Sequence, residues 1–113
     1  MADLANEPTP ASADDWIGKF VIVRCRDAGV HAGILKSRDG RACELTNSRR
    51  LWRWRVKGNH GVTLSDVATV GLDTKDTKIG AAIDVLLTEN CEIIACTAEA
   101  AENIAQFPIH VPR

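Results

Sequence analysis

Arg49-Arg50-Leu51-Trp52-Arg53-Trp54-Arg55-Val56-Lys57 gathers five of the fourteen basic residues and two of the three tryptophans into nine positions. Guanidinium groups beside flat π-surfaces are the materials for stacking a base and neutralising its phosphates. In an extended strand, side chains alternate between two faces. Arg50, Trp52 and Trp54 then share one face, and Arg49, Arg53 and Arg55 point the other way beside Leu51. Arg24 and Arg26, on one face of an earlier strand, extend the patch if the two strands are neighbours. Asn47 reads a base edge or simply turns the chain. Thr97 caps a helix, and a helix N-terminus can also hold phosphate. The candidate ligand-binding set is therefore Arg24, Arg26, Asn47, Arg49, Arg50, Trp52, Arg53, Trp54 and Thr97.

Each of these residues also has an ordinary structural reading. Tryptophan is highly buried on average, so Trp52 and Trp54 serve equally well as core under a helix layer. The arginines serve equally well as solvated edge charges.

Catalytic chemistry has little to work with. No Ser/His/Asp or Cys/His arrangement has recognisable spacing. Gly29-Val30-His31-Ala32-Gly33 lacks the Lys-Ser/Thr ending of a phosphate loop. Asp84, on an apolar strand, is a candidate for burial, but a lone carboxylate does little. Cys25, Cys43, Cys91 and Cys96 form no Cys-x-x-Cys pair, and His31, His60 and His110 are scattered, so neither a metal site nor a cofactor is expected. Reduced structural thiols fit a cytosolic setting. The chain is read as a non-enzyme.

The elements that must position the basic strand follow from the order of apolar and turn residues. At 113 residues, 45% hydrophobic and 26% charged, the chain has the size and composition of one globular domain. No apolar run approaches the ~20 residues of a membrane span, and the start lacks the pattern of a signal peptide. A cytoplasmic protein is expected. Residues 1–14, centred on Glu7-Pro8-Thr9-Pro10, read as a flexible arm, and 15–113 as a single α+β domain.

Phe20–Arg26 is a strand by its β-branched content. After Asp27-Ala28-Gly29, Val30 to Ser37 returns as a second. Asp39-Gly40 signals a tight hairpin, with Arg38 opposite Arg41 and Ile34 opposite Leu45. Asn47-Ser48 turns the chain again into a fourth strand, Arg49–Arg55, giving an antiparallel meander. Thr63 caps a short helix, Leu64–Val70, with Asp66 as its reciprocal partner. Ile79 to Leu87 alternates as a strand and pairs through Glu89-Asn90 with Cys91–Ala95 as a second hairpin. Thr97 caps a C-terminal helix that Pro108 stops, and Ile109-His110-Val111 adds a short edge strand.

Charge is split along the chain. Residues 19–57 carry eleven Lys/Arg against three acidic residues, a net of +8, and the rest carries three against twelve, a net of −9. Such asymmetry marks a polyanion-binding surface, or halves that attract each other within one subunit or between copies. It points, with the tryptophans as interface anchors, to a homo-oligomer.

The phrase Gly29-x3-Gly33-x-Leu35-x3-Asp39-Gly40-x4-Leu45-x-Asn47-x-Arg49-Arg50-Leu51-Trp52-x-Trp54 resembles a family of small proteins encoded by tailed phages and prophages. The likeness continues through Leu64-Ser65-x-x-Ala68 and Glu92-Ile93-Ile94-x-Cys96-Thr97, and spans roughly residues 19–107. Position 53, where that family leads one to expect an aromatic, is Arg here. The resemblance implies a phage protein acting in the infected bacterial cell. By analogy with small phage sponges, it implies an anti-defence role: sequestering a cyclic oligonucleotide immune signal without cleaving it. Two alternatives stay open. One is a module that binds single-stranded nucleic acid through the same strand; the other is a protein-protein inhibitor or assembly subunit.

Overall fold

The computed structural model describes residues 13–59 and 61–111. Most of the expected arm therefore lies outside the described residues, and Ala13–Trp16 forms a 3-10 turn at the entry to the domain. The architecture is α+β, an antiparallel six-stranded sheet with two short helices. Among the described residues no helix is long and apolar enough to cross a membrane.

The organising strand is β1, Phe20–Cys25. Val21, Ile22 and Val23 are all fully buried, because both faces of β1 are covered. That is why the run is apolar without alternation. On one edge β1 pairs with β2, Val30–Asp39, and on the other with β6, Asn90–Ala95.

β2 turns through Gly40-Arg41 into β3, Ala42–Arg53. The Asp39-Gly40 signal does mark a hairpin, but the turn falls one residue later, on Gly40-Arg41, so Arg38 pairs with Cys43 rather than Arg41 and Ile34 with Thr46 rather than Leu45. Asp39 pairs with Ala42, and a bulge then sets Leu35 opposite Leu45, two buried leucines in one core. Gly40 takes the left-handed conformation at φ 58° that the turn requires.

β3 corrects the expected meander. Asn47 and Ser48 do not end a strand, and one strand of 12 residues runs through them. Asn47 is left-handed, at φ 51°, as a turn residue would be, yet it serves as a bulge that absorbs one residue. Strands β2 and β3 approach closely there. A Cβ added to Gly33 would lie 2.8 Å from the Ser48 Cα and 2.9 Å from the Thr46 carbonyl oxygen.

The far edge of β3 pairs near its start with β5, Ile83–Leu87, and near its end with β4, Lys78–Ile79. The strands expected as a second hairpin are present but do not pair with each other. β5 joins β3 and β6 joins β1, so Thr88-Glu89 bridges the two edges of the sheet. With only two residues to span them, the sheet must curl until its edges meet. The seam is fastened by Asn90 N–H donating to the Arg41 carbonyl at 2.9 Å and Arg26 N–H to the Glu89 carbonyl at 3.0 Å.

The curl creates two cores. Val21, Val23, Leu35, Cys43, Leu45 and Leu87 fill its inside, with Trp16, Val85 and Ile93 packed against them. Ile22, Ala32, Leu51, Val67, Leu72, Ile79 and Ile104 fill the outside, under α1, Leu64–Val70, and α2, Ala98–Ala105. Each fully buried aliphatic side chain contributes about 1.5–3 kcal/mol relative to exposure.

Both helices start where the sequence places them. In α1 the Thr63 hydroxyl accepts from Asp66 N–H while the Asp66 carboxylate accepts from Thr63 N–H, a reciprocal box. Hydrogen bonds from Thr63 hold the Asp66 carboxyl below its ordinary range. In α2 the Thr97 hydroxyl accepts from Ala100 N–H and donates to the Thr69 carbonyl at 2.7 Å, tying the two helices together. Asn103 clamps Leu72 through both its N–H and its carbonyl. The tail contributes one bond rather than a strand: His110 N–H donates to the Ile79 carbonyl.

Candidate functional site

Strand alternation separates Arg49 from Arg50, and the two meet opposite fates. Arg49 faces the helix layer and is 4% exposed. Its Nε donates to the Gly80 carbonyl and its Nη1 to the Ile104 and Ala105 carbonyls at 3.1 and 3.4 Å. A guanidinium against the last carbonyls of α2 complements the negative end of the helix dipole. Burial pushes its pKa down. Arg49 is a structural tie and does not reach the candidate surface. Arg50, one residue on, is exposed and makes no ion pair among the described residues.

Trp52 and Trp54, which strand alternation puts on one face, differ in burial. Regular pairing ends at Arg53, so alternation stops before Trp54. Trp54 is half-buried and packs on the outer core. Trp52 is 71% exposed. The Lys78 Nζ lies 4.9 Å from its ring centroid, a cation–π contact, and the His110 ring is tilted beside it at 6.3 Å. Trp54 thus takes the core role, and Trp52 does not.

Arg50, Trp52 and Trp54 nevertheless line one open groove of about 350 Å³, at the end of the sheet. Val30 and Leu51 form its apolar floor, and the β1–β2 turn, Asp27-Ala28-Gly29, its far wall. The groove brings together an exposed indole, a second indole and a guanidinium that makes no ion pair among the described residues. This set can stack a planar ring and meet an anion.

The far wall is fixed by a residue that no motif singles out. His31, opposite Arg50 in the β2–β3 ladder, is 1% exposed. Its Nε2–H donates to the Ala28 carbonyl at 2.8 Å, which assigns the proton to that nitrogen. Desolvation lowers the His31 pKa, and the Arg50 charge adds to this, against a smaller opposing effect of the Ala28 bond. The unfolded chain then binds a proton that the fold resists. Stability should fall as pH drops below the ordinary histidine value of 6.5. Urea midpoints at pH 7.5 and pH 5.5 check this. The fall should be smaller in His31→Gln, whose amide keeps a donor without titrating in that range.

The remaining candidates lie apart from the groove. Arg24 is engaged by Glu92 at 2.9 Å, which raises its pKa through that hydrogen bond. Arg26 is exposed beside the seam. Asn47 is exposed on the bulge, where its backbone N–H donates to Asp84 Oδ1 at 3.2 Å. Asp84 is thus a surface residue rather than a buried carboxylate. The Thr97 hydroxyl is occupied within the helix pair. Arg53 is exposed at the end of β3, opposite Lys78.

The charge split has a visible counterpart inside the subunit. Arg24–Glu92, Arg41–Glu89 and Arg55–Asp76 each join the basic segment to the acidic remainder. These are exposed pairs, worth about 0–1 kcal/mol each. Among the described residues Arg50 and Arg53 are, with Lys19, Arg26, Arg38, Arg49 and Lys57, the basic side chains of residues 19–57 in no ion pair.

Among the described residues no group of three His, Cys, Asp or Glu side chains is placed to hold a metal. Cys25 and Cys43 are buried in the inner core. Burial pushes the Cys43 thiol up to about 11 and that of Cys96 up to about 12, which keeps both protonated. Cys91 is exposed.

A family model described as a domain of unknown function, DUF6948, matches residues 18–104. The match takes in the sheet, α1, nearly all of α2 and every residue lining the groove. No curated protein and no solved structure matches the chain.

Proposed function

The chain belongs to this family of domains, and we propose that it binds an anionic nucleotide ligand in the groove and releases it chemically unchanged. The observation that carries this reading is Trp52. An indole 71% exposed where it lines the groove offers a flat surface on which a base can stack. Arg50 stands ready for the phosphate of a base stacked there, since its planar fork has no carboxylate partner among the described residues.

Within that class, the resemblance to phage and prophage proteins favours a cyclic oligonucleotide. The protein then acts as a sponge, removing a defence signal inside the infected cell. A single groove of this openness buries only part of such a ligand, so a second copy of the chain completes the enclosure. The same openness favours a second reading, single-stranded nucleic acid running along the groove, which needs no enclosure.

Tryptophan fluorescence and calorimetry against cyclic di- and trinucleotides and short single strands test both readings. Trp52→Ala should weaken binding about ten- to a hundredfold, from roughly 1–3 kcal/mol of stacking. Arg50→Lys should also lose affinity, because an ammonium lacks the fork. Ligand recovered intact by heating and chromatography supports sequestration, whereas cleaved ligand makes the protein an enzyme. Salt-sensitive binding of oligonucleotides alone selects the second reading. Silence with every nucleotide leaves a protein-protein inhibitor or assembly subunit.

A further inference from the structure

Trp54 lines a second groove as well as the first. That groove, of about 340 Å³, is walled by Trp54, Arg55, Val56, Gly61 and Val62. We propose that Trp54 partitions two nucleotide subsites, so that the ligand is a dinucleotide unit or longer with one nucleotide on each side of the indole. The inference rests on the nucleotide-binding reading of the first groove and narrows its ligand.

Three observations carry it. The first is size. Both grooves are at the low end of the roughly 300–1,000 Å³ of small-molecule sites, which suits one nucleotide each rather than two in either.

The second is the rigidity of the partition. Trp54 is half-buried against the outer core, and the backbone around it is held on both flanks. Arg55 N–H donates to Thr77 Oγ1 at 3.1 Å and the Arg55 carbonyl accepts from Asp73 N–H at 2.8 Å. Leu51 and Arg53 pair with β4 just before it. A wall fixed in this way presents its indole without an ordering cost on binding.

The third is the lining of the second groove, which repeats the chemistry of the first. Val62, 86% exposed, offers an apolar surface, as Val30 and Leu51 do in the first groove. Arg55 lines it too, with its guanidinium engaged with Asp76 at 3.3 Å in an exposed pair. Such pairs contribute little and yield to a charge-assisted bond with phosphate.

Calorimetry of the full chain with AMP, linear diadenylate and cyclic di-AMP tests the partition. At least one dinucleotide should bind ten times more tightly than AMP, or better, and Val62→Asn should remove most of that advantage. Val62 is exposed, so its replacement leaves the fold intact. Trp52→Ala should weaken mononucleotide and dinucleotide alike. Equal affinities for AMP and both dinucleotides, or an advantage that Val62→Asn leaves untouched, overturns the partition while the stacking site at Trp52 stands. Absence of binding by all three probes overturns that site and the partition with it.

Discussion

Replacing Arg49 by alanine is expected to cost about 3 kcal/mol of stability, while Arg50→Ala, its neighbour, stays within about 0.5 kcal/mol of the parent. The Arg49 guanidinium joins three parts of the fold: β3, the loop after β4 through Gly80, and the end of α2 through Ile104 and Ala105. Alanine takes a donor from each of those carbonyls, of which Ile104 keeps another, the Phe107 N–H at 3.2 Å, and it opens a hole where a long side chain was buried. Each unsatisfied buried acceptor costs about 1–3 kcal/mol, and partial relaxation keeps the total below their sum. In a chain of this length the loss corresponds to roughly 12 °C in Tm. Arg49→Met separates the contributions. It fills the hole and removes a desolvated charge whose Nη2 meets no acceptor among the described residues, so it should lose less than alanine does. Urea denaturation of the three variants, with ligand titration alongside, gives the test. A neutral Arg49→Ala, or one that loses ligand affinity at full stability, would show that Arg49 belongs to the surface after all.

The contrast between Arg49 and Arg50 shows what the sequence could convey. Period-two alternation correctly puts the two on opposite faces, because that follows from strand geometry alone. Which face lies under helices depends on where α1 and α2 return, and nothing near residue 49 encodes that. The same limit explains Trp54. Alternation carries Trp52 and Trp54 to one side only while the strand lasts, and β3 ends at Arg53.

Local signals were the most legible. The Thr63–Asp66 box and the Thr97 cap are written within four residues each, and both helices begin there. At Asn47 the left-handed tendency was legible and its consequence was not. A single left-handed residue makes a turn or a bulge depending on what flanks the strand, and here β2, β4 and β5 hold β3 on both edges. The Ile83–Leu87 and Asn90–Ala95 strands were legible as strands. Their pairing was not, since closeness in sequence favours a hairpin and only the curl of the sheet sends them to opposite edges. His31 gave no signal. A histidine among Val30 and Ala32 becomes meaningful only when Ala28 folds back to accept its hydrogen bond.

The curl also predicts that the two cores stand or fall together. Leu35→Ala empties a fully buried site inside the curl, and Ile104→Ala empties one beneath the helices. Each should cost about 2–5 kcal/mol, as large-to-small changes in packed cores do. The two side chains lie in separate clusters. Against a typical total of roughly 5–15 kcal/mol, the double variant approaches unfolding. Coupling between the cores arises in β1, whose Val21 and Val23 belong to the inner cluster and Ile22 to the outer. Loosening either core moves that strand, and with it the packing of the other. Each single variant should therefore melt in one cooperative step, with circular dichroism and Trp fluorescence giving the same midpoint. An Ile104→Ala protein whose helices melt first, with the sheet persisting to the parent's midpoint, would show that the helix layer is an independent covering. The structure argues against such a layer because the Arg49 guanidinium runs from β3 to the last turn of α2, and β1 has no face to spare.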